Sequence, residues 1–375
     1  MKPNHCLLVL MLVLPLFSIA QDTLFMYHSG VLVAKRATAD IDSIIFYNPE
    51  KLPDPEENLY RYFLVGNSGD VIALDVNKDE KTISFSNEKN SNKGSVAYHS
   101  TTDPELSGID VLSFDGKTKY AIQTDEKLMV SHYPFGNVQN SLCIGVSTDV
   151  DLNGTAVKNA YLGRYVWISL SNAHVSEWGG MELKSNGTYT WQVGPDDPEV
   201  FNPATHFAGG GSGTWSVSSV DPSRLVYNEG GITKLGSVYP GEMLVIEDLE
   251  RLSIAFKYPD APVSQSTISG KYLWLDYTPE GYYGAGYYNM PAQGTMQTYY
   301  YSYVNNPYMG SGYQILYDLN RSAGLNNLFY TSTVDDGETV ITAFFFSPGG
   351  KALVATSWLE DGDVVSYAFG LKVNQ

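Results

Sequence analysis

A basic-Tyr-apolar-apolar tetrad occurs three times along this chain, as Arg61-Tyr62-Phe63-Leu64, Arg164-Tyr165-Val166-Trp167 and Lys271-Tyr272-Leu273-Trp274. Recurrence at nearly even intervals of about a hundred residues constrains the fold to repeated units, each able to satisfy its own hydrogen bonding. Lys119-Tyr120-Ala121-Ile122 fits the tetrad out of phase, so the weight rests on the spacing and on the segments that close each unit.

The closing segments are alike in all three units: an apolar run, a turn and a final alternating strand. In the first unit these are Leu128-Met129-Val130, the turn around Pro134-Phe135-Gly136, and Leu142-Cys143-Ile144-Gly145-Val146. The second has Tyr239-Pro240-Gly241, Met243-Leu244-Val245-Ile246 and Leu252-Ser253-Ile254-Ala255-Phe256. In the third, Ser347-Pro348-Gly349-Gly350 leads to Ala352-Leu353-Val354-Ala355, and Asp361-Gly362 leads to Val365 to Leu371. A run, a Gly-containing turn and a second run predict a β-hairpin. Each unit then begins and ends with strands, as a closed or nearly closed antiparallel sheet must. The expected fold class is all-β, with tandem antiparallel β-barrel or β-sandwich units and no helical periodicity beyond a few turns.

The amino terminus predicts export. Met1 to His5 carries one lysine, Leu7 to Phe17 is almost wholly apolar, and Ser18-Ile19-Ala20 ends in a small residue, the pattern of a leader cleaved after Ala20. The apolar run is shorter than the roughly 20 residues a membrane span needs. Cys6 precedes the run, the wrong side for a lipidated first residue. The expected product is freely exported, to the periplasm, the cell surface or beyond. Cleavage leaves Cys143 as the last cysteine, so no intramolecular disulfide is expected and Cys143 is assigned to a buried strand.

Acidic residues outnumber basic ones 41 to 23, a balance of −18. Nucleic acid and anionic membrane surfaces are poor partners for such a chain. Abundant tyrosine and glycine, 28 and 35 residues, suit short strands joined by tight turns.

The expected organisation is a leader at 1–20, an amino-terminal β-hairpin and linker at 21–58, and β units at 59–148, 160–257 and 266–375. The hairpin is read from Leu24-Phe25-Met26-Tyr27, Ser29-Gly30 and Val31-Leu32-Val33, followed by Asp40-Ile41-Asp42-Ser43-Ile44-Ile45-Phe46. It resembles the short hairpin that precedes unrelated modules in many exported bacterial proteins. Pro49 to Asn58, with Pro53 and Pro55, cannot continue a sheet.

In the middle unit, Gly163-Arg164-Tyr165-Val166-Trp167 is followed by Leu183-Lys184-Ser185-Asn186-Gly187-Thr188-Tyr189 and by Gly213-Thr214-Trp215-Ser216-Val217. Asn186-Gly187 tolerates positive φ at both positions and closes a two-residue hairpin. These segments, in this order, resemble the lipocalin-like domains of exported bacterial proteins over about residues 160 to 257. The resemblance implies a small antiparallel barrel, filled by side chains or roomy enough for one small ligand.

Catalytic and metal-binding signals are thin. His28, His99, His132, His174 and His206 include no i, i+4 pair, and none sits in a zinc-protease pattern. Gly209-Gly210-Gly211-Ser212-Gly213 lacks the second glycine of a nucleophile elbow, Thr214 standing there, and is expected to be a flexible loop. Asp149-Val150-Asp151-Leu152-Asn153-Gly154 matches the first half of a calcium loop, but Ala160 stands where a bidentate Glu is needed, so an inter-unit turn is expected. Acidic groups at Asp196-Asp197 with Glu199, Asp335-Asp336 with Glu338, and Glu360-Asp361 with Asp363 lie in turn-rich segments, where carboxylates serve local hydrogen bonding.

The third unit crowds tyrosines between glycines. In an alternating strand, one of each neighbouring pair Tyr282-Tyr283 and Tyr287-Tyr288 is expected to face away from the core. That makes Tyr282, Tyr283, Tyr287 and Tyr288 the candidate ligand-binding residues, since flat rings with a hydroxyl suit glycan or protein surfaces. The expected function is an exported, non-enzymatic binding or surface module, with no cofactor and no membrane span. Its expected partner is a small apolar ligand, a glycan or a surface protein. The alternatives are a secreted glycan hydrolase and a structural part of a cell-surface assembly. A barrel mouth lined by aromatics would favour binding, a polar cleft with facing carboxylates hydrolysis, and filled barrels an architectural role.

Overall fold

A computed structural model of the chain describes residues 23–28, 31–37 and 58–373, with gaps at 115–116, 125–126, 133–141, 172–176, 196, 279–281, 305–312, 336 and 360–363. The expected leader, the Pro49–Glu57 stretch, the turn at Pro134-Phe135-Gly136, His174, Asp196, Asp336, Glu360, Asp361 and Asp363 lie outside the described residues. Thr23–His28 and Val31–Ala37 pair antiparallel as a two-stranded sheet. This hairpin belongs to a unit separate from the one that begins at Asn58.

The rest of the chain is all-β, with each tetrad on an opening strand. Leu59–Gly66 pairs with Val71–Asn77 and with the unit's last strand, Leu142–Ser147. Gly163–Ser171 pairs in the same way with Glu177–Leu183 and Arg251–Lys257. Gly270–Tyr277 pairs with Tyr283–Met290 and Val364–Val373. The first two units are closed eight-stranded antiparallel barrels, the lipocalin-like architecture. The third is a nine-stranded sheet whose edges, Tyr313–Asp318 and Asn320–Arg321, are separated in the chain by Leu319 alone.

Alternation explains why the tetrad recurs. Tyr62, Tyr165 and Tyr272 each point into the interior cluster of their own unit. The next residues, Phe63, Val166 and Leu273, fall on the opposite face, in one core shared by all three units. Closing-strand residues Ile144, Ile254 and Phe369 join that shared core. Opening and closing strands are thus buried on both faces and read as continuous apolar runs. Each fully buried Val, Leu or Phe contributes about 1.5–3 kcal/mol, so the junction holds the units together on the scale of a domain core. The out-of-phase Tyr120 lies on Lys117–Thr124, a strand inside the first barrel rather than an opening strand.

The double burial corrects the premise about the paired tyrosines. Tyr288 packs inside the third unit against Trp274 and Phe344, with ring centroids 5.6 and 5.4 Å away. Tyr283 faces the first barrel, donating a hydrogen bond to the Thr118 carbonyl at 3.0 Å while Lys119 Nζ lies 3.7 Å over its ring. Tyr287 belongs to the shared core and stacks on Tyr299 at 5.0 Å. All three are buried, and Tyr282 is half-buried. The reason is tertiary: the face opposite the barrel interior is covered by a neighbouring unit rather than by water.

Two turn-rich segments also do more than expected. After the turn at Asp149 to Gly154, where Asp151 accepts from the Asn153 N–H at 2.9 Å, the chain forms the helix Thr155–Tyr161. Leu152 and Tyr161 are buried in the middle barrel's interior cluster, so this segment plugs one end of that barrel. Gly211 and Gly213, expected in a flexible loop, lie on the strand Gly211–Val217. No helix among the described residues is long and apolar enough to cross a membrane.

Candidate functional site

The middle barrel is plugged at one end and hollow at the other. At the plugged end, Tyr161 packs edge-on against Trp215 at 5.7 Å and donates to the Leu152 carbonyl at 3.0 Å. Tyr165 donates to the Tyr161 carbonyl, tying the opening strand to the helix. Above this floor, inward positions two residues apart build successive layers, as strand alternation requires. On Arg224–Glu229 the inward row is Leu225, Tyr227, Glu229, and on Thr188–Val193 it is Tyr189 then Trp191. Leu225 belongs to the floor, the aromatics to the middle and the acid to the rim.

The hollow end holds a cavity of about 120 Å³, walled by Trp167, Met181, Tyr189, Trp191, Tyr227 and Ile246 and rimmed by Glu177, Glu229, Lys234 and Asp248. Trp167 and Trp191 meet edge to face at 6.3 Å, and Tyr189 and Tyr227 do so at 5.6 Å. Four glycines let these rings hug the wall instead of filling the lumen. A Cβ on Gly179 would fall 2.7 Å from Trp167, on Gly211 2.3 Å from Trp191, on Gly213 2.6 Å from Tyr189, and on Gly236 2.9 Å from Tyr227. Trp167 stands directly across the ladder from Gly179, and Tyr189 from Gly213.

The rim is an ion-pair cluster. Lys234 Nζ lies 3.1 Å from Glu229 Oε2 and 2.6 Å from Asp248 Oδ1, while Arg251 pairs with Glu177 at 3.0 Å. Burial lowers the proton affinity of Lys234, but its hydrogen bonds and charge pairing with Asp248 and Glu229 outweigh this and leave its pKa raised. Glu229 also accepts from Trp191 Nε1 and, at 3.5 Å, from the Tyr189 hydroxyl. Burial, then the Glu229 charge, pushes the Tyr189 phenol up, so it stays a neutral donor. Tyr227 is 2% exposed, and its hydroxyl has no hydrogen-bond partner. A buried hydroxyl in that condition costs about 1–3 kcal/mol.

Other ionisable groups singled out in the sequence serve structure. Asp197 caps a short turn by accepting from the Glu199 N–H at 2.9 Å, and Glu199 accepts from the Ala323 N–H of the third unit at 2.7 Å. Cys143 is fully buried. No cluster of three or more His, Cys, Asp or Glu suited to a metal ion occurs among the described residues. The sequence-derived candidates Tyr282, Tyr283, Tyr287 and Tyr288 lie in the third unit, and none of them lines the cavity. The signal for the cavity was present as Tyr189-x-Trp191 on one strand with Gly211-x-Gly213 on the next.

No family model matches the chain, and no curated protein matches it. Among solved structures, a variant of transferrin-binding protein B from Haemophilus parasuis is similar at 9% identity and a TM-score of 0.25, over 82% of this chain and 66% of that one. Transferrin-binding protein B from Neisseria meningitidis gives 11% identity and 0.22, over 81% of this chain and 65% of that one. A DUF3598-family protein of unknown function from Nostoc punctiforme gives 8% and 0.21, over 85% of this chain and 97% of that one. This chain thus spans about two thirds of the transferrin-binding structures.

Proposed function

We propose that the middle barrel is a non-enzymatic binding module that admits a small molecule through the end opposite the helix Thr155–Tyr161, in a protein destined for export. The supporting observation is the aromatic-walled cavity beneath a charged rim. An apolar cavity of about 150 Å³ accommodates benzene, so the middle barrel's cavity matches a ring-sized group. Glycan hydrolysis fits less well, because an acid–base pair needs a carboxyl poised to give up a proton. Glu229 and Asp248 instead share one ammonium, and Glu177 is paired with Arg251.

A thermal-shift screen of small molecules against the full chain and a Ser253→Leu variant tests this reading. Ser253 is buried and lines the cavity, so leucine there fills it. A true ligand at a hundredfold excess over its Kd stabilises the native state by about 2.7 kcal/mol. That gain is expected for the natural chain and lost in the variant. Equal stabilisation of both, or none of either, contradicts the proposal.

A further inference from the structure

Building on the binding role proposed for this cavity, we infer that its ligand is a small organic cation: a protonated amine or quaternary ammonium carrying a ring-sized apolar body. Three observations converge on that chemistry. The wall is aromatic on several sides, through Trp167, Trp191, Tyr189 and Tyr227, and the π faces of such rings attract a desolvated cation. The rim carries three carboxylates against Lys234 and Arg251, which leaves a negative surplus at the entrance.

Lys234 is also the only cation among the described residues lining the cavity, and Glu229 and Asp248 already hold it. An incoming anion would have to displace a carboxylate from Lys234, whereas two carboxylates sharing one ammonium keep a net negative charge for a second cation. The layering then orients the guest, with its charged head under the acidic rim and its apolar body between the rings.

The test compares three matched probes, 2-phenylethylammonium, 2-phenylethanol and phenylacetate, by calorimetry at pH 7 with the full chain. The ammonium is expected to bind about tenfold tighter than the alcohol, with the carboxylate weakest. Added salt should narrow that preference. Asp248→Asn, and separately Glu177→Gln at the more exposed edge of the rim, should each reduce ammonium affinity by a larger factor than alcohol affinity. Equal binding of ammonium and alcohol, tighter binding of phenylacetate, or indifference to both substitutions overturns the cation assignment. If none of the three binds while screened compounds still stabilise the chain in a Ser253-dependent way, the cation assignment fails alone. If no compound does so, the binding role fails with it.

Discussion

The side-chain amide of Asn67 donates to the Tyr367 hydroxyl at 2.6 Å, and that hydroxyl donates onward to the Ser171 carbonyl at 2.7 Å. One residue from each unit meets here, all buried, and Asn67 Oδ1 also accepts from the Leu142 N–H at 3.1 Å. Phenylalanine at position 367 would keep the packing and remove both of these buried hydrogen bonds. We predict that Tyr367→Phe destabilises the chain by about 1–3 kcal/mol, with barrels that begin to unfold separately. Urea unfolding followed by two probes would measure it. An unchanged midpoint and a single coincident transition would show that apolar packing alone joins the units.

Gly211 stands against Trp191, and the three atoms nearest to where a Cβ would sit all belong to that indole. Gly211→Ala therefore has to push the ring off the wall, breaking its hydrogen bond to Glu229. We predict a stability loss of about 1–3 kcal/mol, a shift in tryptophan emission and weaker ligand binding through a crowded lumen. Retention of all three properties would mean that the ring is not pinned against this glycine.

His132 is 1% exposed, and its Nε2 lies 3.0 Å from the Asp276 carbonyl, so the neutral ring donates there. Burial, then the Lys119 charge, lowers its pKa to about 3 from an ordinary 6.5, against a smaller opposing effect of the Asp276 carbonyl. A lowered folded value means that the unfolded chain binds more protons between those limits. The histidine's contribution is complete above pH 6.5 and is lost as the pH falls toward about 3, at up to about 1.4 kcal/mol per pH unit. Lys119, lowered from 10.5 to about 8 mainly by burial, titrates in a separate window. His132→Phe should be less stable than the natural chain at pH 8 yet lose less stability between pH 6.5 and 4. Parallel stability profiles for the two proteins would contradict this.

The repeated units were legible because their opening strands are two-faced: Tyr165 must face its own barrel while Val166 faces the shared core, and both demands are written in adjacent residues. The fate of Tyr283 and Tyr287 was not legible, since what covers that face is a neighbouring unit contributed by residues far away in the chain. The cavity was half legible. Alternation at Tyr189 and Trp191 marks an inward row, but the same row would fill a narrower barrel. What keeps the lumen open is the placement of glycines across the ladder, as with Gly179 opposite Trp167, and that depends on register. The plug was missed because Thr155–Tyr161 is too short to establish a helical period.

The most direct measurement is a crystal structure of the full chain bound to the tightest compound from the screen. The ligand is predicted between Trp167 and Tyr227, beneath the Glu229–Lys234–Asp248 cluster. A ligand found on the third unit's tyrosines or between the units, with the middle barrel's lumen empty or filled by protein side chains, would contradict the assignment of this barrel as the binding site.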